Sequence, residues 1–270
     1  MTSPHSWLPV SPCGPGCLPP ADAVPTVTRP LRVLRLLAVA VLVLAGSPLV
    51  AAWPLLGPSR RERALRVWYR ALLGVLRIRL QITGDDRFAA PAKGILVVSN
   101  HMSWLDLIAL GAVQPLRMVA KSEVRGWPVV GPLARRTGTI FVDRKRLSAL
   151  PGMIAAVAGA LASGVAVGVF PEGTTWCGVT SGRFRPAVFQ AAINTATAVR
   201  PVAVRYRLAG VGPTTVAAFV GPETFWETLV RVAGVHHLVI EVHLLPPLQP
   251  IPGTTRRTLA ASAETAVRSA

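Results

Sequence analysis

From Leu36 to Gly57 the chain runs without a charged side chain, with Arg29, Arg32 and Arg35 before the run and Arg60, Arg61 and Arg63 after it. About 22 such residues reach roughly 33 Å as a straight helix, enough for a hydrocarbon core of about 30 Å. A bilayer is therefore a suitable solvent for this segment. Pro48 and Pro54 interrupt the helix, and arginines on both flanks leave no charge asymmetry to fix an orientation. Two membrane placements follow, a single crossing or a bent segment dipping into one leaflet. The bland alternative is a buried helix of a soluble core. The late start and the lack of a small-residue cleavage site argue against a signal peptide.

The rest of the 270 residues has room for one substantial core. Residues 1–28 are rich in Pro, Ser, Gly and Cys without hydrophobic period and are expected to be a disordered tail. Residues 29–59 form the hydrophobic membrane segment, and residues 60–270 an amphipathic lead-in helix followed by an α/β domain. In the lead-in, Leu65, Trp68, Leu72, Leu73 and Leu76 recur at helical spacing, with Arg63, Arg66 and Arg70 at other positions. Those arginines suit either an anionic membrane surface or plain solvation.

Beyond it, short apolar runs alternate with helical stretches. The runs 95–98, 118–120, 139–142, 165–170, 202–206, 215–220 and 238–245 read as strands. Helices are expected near 104–112, 127–135, 147–162, 186–196, 225–232 and 255–268. The expected fold is α/β, a mostly buried mixed sheet flanked by helices.

Charge and cysteine content bound the function. With 29 Lys+Arg against 12 Asp+Glu the net charge is +17, carried almost wholly by arginine. Such an excess favours nucleic acid, an anionic membrane face or a phosphate-bearing substrate. Cys13, Cys17 and Cys177 are scattered, without paired Cys/His spacing, so no metal site is expected. A reduced catalytic domain facing the cytoplasm is the simpler reading.

Chemistry concentrates in Ser99-Asn100-His101-Met102-Ser103-Trp104-Leu105-Asp106. Residues five apart on one helix are rotated by about 140°, so His101 meets Asp106 only if it precedes the helix. Ser103-x-x-Asp106 resembles a capping box, which starts the helix after Ser103 and leaves His101 in the loop. Asp106 can then take a hydrogen bond from one imidazole nitrogen and leave the other as a general base. A capping aspartate and a histidine bonded to a carbonyl is the competing structural reading. Two further clusters end apolar runs: Pro171-Glu172-Gly173-Thr174-Thr175, at a position ligands favour, and Asp143-Arg144, where the guanidinium suits a phosphate.

Asn100-His101-x-Ser103-x-x-Asp106, Gly138…Phe141-x-Asp143-Arg144, Phe170-Pro171-Glu172-Gly173-Thr174 and Arg200-Pro201-Val202 together resemble the four ordered blocks of the glycerolipid acyltransferases, the lysophosphatidic acid acyltransferase family. The resemblance spans roughly residues 94–206. It implies His101 as catalytic base with Asp106 as its partner, and Arg144, Glu172, Gly173 and Thr174 around the acceptor head group. Thr175 and Trp176 replace the arginine or serine common after the third block, a place Arg183 or Arg185 is suited to fill. It also implies acyl-CoA or acyl carrier protein as co-substrate with no further cofactor, membrane lipids as partners, and the cell membrane as location. The implied acceptor is 1-acyl-glycerol-3-phosphate. The Glu-Gly-Thr-Thr form with Phe184-Arg185-Pro186 also resembles relatives acting on lyso-ornithine lipid. Competing classes are a hydrolase with Cys177 as nucleophile and a non-enzymatic basic protein binding membranes or nucleic acid; no nucleic acid is expected if the resemblance holds.

Overall fold

The computed structural model describes residues 8–51, 53–90, 92–127, 130–143 and 146–270. Its helices are α1 (Arg29–Ala51), α2 (Pro58–Val75), α3 (Trp104–Val113), α4 (Val130–Arg136), α5 (Leu150–Ala162), α6 (Phe189–Asn194), α7 (Phe225–Gly234) and α8 (Arg256–Ser269). Its strands are β1 (Arg79–Thr83), β2 (Ile95–Ser99), β3 (Arg117–Lys121), β4 (Ile140–Val142), β5 (Ala166–Val169), β6 (Val199–Leu208), β7 (Gly212–Pro213) and β8 (Leu238–Leu244). They form one mixed sheet in the order β1-β8-β6-β2-β5-β3-β4, with β7 paired to β6. β6 runs antiparallel to β7 and β8, and the other pairings are parallel.

The apolar run of β2 is buried along its whole length because both faces of the sheet are covered. Ile95 and Val97 join one core with Leu72 and Leu73 of α2, Leu105 and Leu110 of α3 and Val232 of α7. Leu96 and Val98 point the other way, to Val157 and Leu161 of α5, Phe189 of α6 and Leu259 of α8. β2 and β5 are parallel neighbours, so their C-terminal ends open at the same edge of the sheet, and the loops carrying His101 and Glu172 leave from there.

Two strand expectations differ from the structure. β1 had no apolar run to betray it; it is a largely exposed edge strand held by parallel pairing to β8. Residues 215–220 form no strand. Val216, Ala217, Ala218 and Val220 are buried without ladder partners, and their carbonyls are met instead by Arg231, which bonds Val216 O at 2.8 Å and Ala218 O at 2.7 Å.

The crossing of the membrane is also corrected. Among the described residues no helix is long and apolar enough to cross a membrane. α1 takes Arg29, Arg32 and Arg35 into its first two turns, and what remains, Leu36 to Ala51, spans only about 24 Å. Leu36, Val39, Leu42 and Val43 pack on the core, while Leu34, Leu37, Val41 and Leu44 face outward. Arg35 is buried and donates to the carbonyls of Ala233 (3.1 Å) and Val235 (2.8 Å), completing the C-terminal end of α7, where a cation also suits the helix dipole. In α2, Arg66 and Arg70 similarly donate to Ala112 O near the end of α3. Much of the arginine excess therefore ties chain segments together.

The stretch expected as a disordered tail is described from residue 8 onward. Residues 8–28 run along the domain, with Val27 N–H bonded to Gly234 O and His236 N–H to Pro25 O, both at 2.8 Å, and Cys13 buried beside Cys177, Ala218 and Val220. Prolines preset an extended path, and small side chains fill a shallow apolar seat; neither leaves a hydrophobic period in the sequence. Residues 1–7 of the expected tail lie outside the described residues.

Candidate active site

The capping box forms. Ser103 caps α3, its hydroxyl accepting from Leu105 N–H at 3.3 Å, and Asp106 Oδ2 accepts the main-chain N–H of Ser103 at 2.8 Å and of Met102 at 2.7 Å. His101 is outside the helix, and its Nδ1 lies 2.9 Å from the same Oδ2. A carboxylate only accepts, so Nδ1 carries the proton and Nε2 presents its lone pair. Capping and orienting are thus performed by one oxygen of one side chain.

The other oxygen of Asp106 accepts from the hydroxyl of Tyr206 at 2.5 Å. Both residues are buried, and burial, followed by the charge of Asp106, holds the Tyr206 phenol well above its ordinary range, so it stays a donor. Sequence reasoning missed Tyr206. Its signal was a lone hydroxyl closing the apolar run 202–206, on a face where the other side chains are aliphatic.

The imidazole is held from its flank and from its main chain. Its ring stacks on Phe170 at 3.9 Å between centroids and 7° between planes. Asn100 extends the join between β2 and β6, exchanging hydrogen bonds with Val204 O (2.9 Å) and Val204 N–H (2.8 Å) through its amide. Trp176 N–H bonds His101 O, and Phe219 N–H bonds Met102 O, each at 2.8 Å. The His101 side chain remains 21% exposed, so Nε2 belongs to a ring that solvent and substrate can reach.

Glu172 is buried next to this loop. Its Oε2 accepts His101 N–H at 2.7 Å and its Oε1 accepts Gly182 N–H at 3.0 Å. Burial raises its carboxyl to about 7, opposed by those two N–H groups and assisted by the charge of Asp106. In this geometry the carboxyl holds the main chain of the histidine loop and lines the same cavity as His101. Gly173 follows at φ +78, the left-handed region that glycine adopts without strain, and a Cβ there would sit 2.8 Å from Pro9 of the tail and 3.7 Å from Cδ of Arg185. Thr174 is half-buried beside it, and Thr175 donates its hydroxyl to Phe219 O at 2.6 Å. Arg144 lies outside the described residues. Arg200, of the fourth block, pairs with Asp85 at 2.9 Å and bonds Leu245 O at 2.9 Å, away from His101.

A cavity of about 190 Å³ touches His101, Glu172, Trp176, Gly182, Arg205 and Arg268. A wider open hollow of about 730 Å³ between Gln190 and Arg256 has none of the site residues in its wall. The position of His101 and Glu172 at paired strand ends carries more weight than the size of the hollow. Cys177, the sequence-level nucleophile candidate, directs its thiol to Thr180 and lies against Cys13 rather than toward the imidazole.

An acyltransferase family profile matches residues 79–205, the stretch from β1 to β6. The lyso-ornithine lipid O-acyltransferase of Pseudomonas aeruginosa is 36% identical over 209 residues, covering 77% of this chain and 78% of that one. The chain belongs to the acyltransferase family. The Rhodobacter capsulatus protein of the same name is 33% identical and covers 93% of this acyltransferase and 94% of its own length. The 1-acyl-sn-glycerol-3-phosphate acyltransferase of Neisseria meningitidis is 38% identical over 149 residues, covering 55% of this chain and 58% of the relative. In fold, the acyltransferase matches the crystal structure of the Thermotoga maritima 1-acyl-sn-glycerophosphate acyltransferase PlsC with a TM-score of 0.68, at 18% identity, over 88% of this chain and 92% of that one. It is an enzyme of the lysophosphatidic acid and lysolipid acyltransferase family.

Proposed function

We propose that this acyltransferase moves a fatty acyl group from acyl-CoA or acyl carrier protein to the free hydroxyl of a lysolipid, with His101 as general base and lyso-ornithine lipid as acceptor. The observation that carries the reaction is the 2.9 Å contact of His101 Nδ1 with a fully buried Asp106, which leaves Nε2 as the basic atom on the accessible ring. As the acceptor hydroxyl attacks the thioester carbonyl, Nε2 takes its proton and Asp106 stabilises the imidazolium. The tetrahedral adduct then expels the thiolate, which recovers that proton from Nε2. No acyl-enzyme and no further cofactor take part. Glu172 and Phe170 position His101; Arg144, Thr174 and Arg185 supply contacts for an anionic head group.

The choice of acceptor is supported by reach. Relatives named for lyso-ornithine lipid align over 77% and 93% of the chain, against 55% for the Neisseria meningitidis relative named for 1-acyl-glycerol-3-phosphate. The latter acceptor is the second reading, favoured by the higher identity within the matched core. The outward stripe Leu34, Leu37, Val41 and Leu44 of α1 fits a helix lying in the plane of the membrane, one side on the domain and the other in the acyl region of one leaflet. A cytoplasmic acyl thioester puts the domain on that face of the cell membrane.

Purified enzyme given labelled acyl-CoA and a set of lysolipids tests this reading. Transfer to lyso-ornithine lipid above lysophosphatidic acid is expected. The reverse preference replaces the first acceptor with the second, and transfer to neither overturns the assignment.

A further inference from the structure

Cys13 and Cys17 are four positions apart and Cys177 lies 160 positions or more beyond them, yet the three sulfur atoms all lie within 4.8 Å of one another. The grouping brings the tail onto the loop that follows the Pro171–Thr175 segment. Cys13 and Cys177 are buried, and Cys17, at the end of a single 3₁₀ turn over Pro15–Cys17, is half-buried. No pair among them is joined as a disulfide.

Thiols packed only as small apolar groups need no hydrogen-bond donors, but these have several. Cys177 N–H donates to Cys13 Sγ at 3.3 Å, and the Thr180 hydroxyl stands 3.4 Å from Cys13 Sγ and 3.5 Å from Cys177 Sγ. Gly178, at φ +92, turns the chain sharply after Cys177, and a side chain there would run into Met102. The turn aims main-chain N–H groups of Val179 and Thr180, together with the Thr180 hydroxyl, at the Cys177 sulfur. Donors converging on sulfur favour the thiolate, the form a metal requires.

We propose that Cys13, Cys17 and Cys177 form a three-thiolate site for a thiophilic divalent cation of the zinc type, which fastens the tail to the wall of the active site. Tetrahedral Zn–S bonds of about 2.3 Å set sulfur atoms about 3.8 Å apart, a small contraction of the present grouping. Three thiolates leave the fourth position to a solvent molecule. Binding forms three metal–sulfur bonds and releases the protons of whichever thiols still hold them; no electron is exchanged. Three thiols also suit a metal better than a disulfide, which would leave one sulfur over. Because Pro9 rests on Gly173 and Trp176, Gly178 and Thr180 line the cavity at His101, the cation fixes that wall without touching the reacting atoms.

The test uses the reduced full-length protein titrated with Co²⁺ and then Zn²⁺ alone. One equivalent of Co²⁺ is expected to produce a thiolate-to-cobalt charge-transfer band that one equivalent of Zn²⁺ abolishes. Zn²⁺ should also protect all three thiols of the unaltered protein from alkylation, a reading independent of any substitution. Cys13→Ser, Cys17→Ser and Cys177→Ser should each lose the band, and Thr180→Val should weaken Zn²⁺ binding by about 10-fold. Absence of the band together with equal alkylation rates with and without Zn²⁺ would overturn the proposal. So would uptake that survives all three cysteine substitutions, or a disulfide as the stable state of the three thiols in protein that takes up no metal after reduction.

Discussion

Asp106 both caps α3 and orients His101, and replacing it in two ways separates the tasks. In Asp106→Ala the buried N–H groups of Met102 and Ser103 and the Tyr206 hydroxyl lose their acceptor. At about 1–3 kcal/mol for each stranded donor the loss is about 3–9 kcal/mol, comparable with the total stability of a domain. In Asp106→Asn the amide oxygen can take the place of Oδ2 and keep both N–H groups and His101 Nδ1, while the amide nitrogen donates to the Tyr206 oxygen, which can accept. The expected stability loss is then only about 1–2 kcal/mol, for exchanging charge-assisted bonds for neutral ones. Activity should nonetheless fall by about 10³–10⁴-fold, because a neutral amide does not stabilise the imidazolium. Urea denaturation and kcat with labelled acyl-CoA measure the two effects separately. An Asp106→Asn protein that folds and keeps activity within about 10-fold of the starting enzyme refutes the role of the Asp106 charge in stabilising the imidazolium.

Three further outcomes follow from the same geometry. Glu172 holds a proton in the folded state up to about 7, against 4.5 ordinarily, so its contribution is fullest below 4.5 and is lost as pH rises toward 7. Relative to Glu172→Gln, the starting enzyme should lose about 3 kcal/mol of stability across that window; parallel denaturation curves at every pH would contradict the assignment. Phe170→Ala removes the ring stacked on His101 and should lower kcat by about 10- to 100-fold with little change in KM for acyl-CoA. Leu37→Glu with Leu44→Glu on the outward face of α1 should weaken sedimentation with anionic vesicles by about 100-fold or more, since each leucine entering the leaflet is worth about 1.5–3 kcal/mol; unchanged sedimentation would argue against the in-plane helix.

The helices from α3 onward were legible as the longer stretches between short apolar runs, and the capping box was legible because it is local, three residues from cap to partner. That single spacing placed His101 outside the helix and next to Asp106. What the sequence did not show depends on distant partners. β1 carried only the short alternation Ile78, Leu80, Ile82 and is held by the edge of β8, and residues 215–220 escape the sheet because Arg231 and the His101 loop meet their backbone groups. Tyr206 reaches Asp106 across 100 positions, and the cysteines meet across 160 or more, so no spacing along the chain announces them. The uncharged run was read correctly as apolar, but nothing local announced that Arg35, at its edge, turns inward to the carbonyls at the end of α7.

The most direct measurement is acyl transfer from labelled acyl-CoA to lysolipid by the starting enzyme and by His101→Gln, with an acid-quenched sample of each examined for label bound to protein. The account predicts a loss of about 10²–10⁴-fold in the variant and no acylated protein in either sample. Undiminished transfer by His101→Gln, or acyl-protein accumulating in a burst with the starting enzyme, would contradict it.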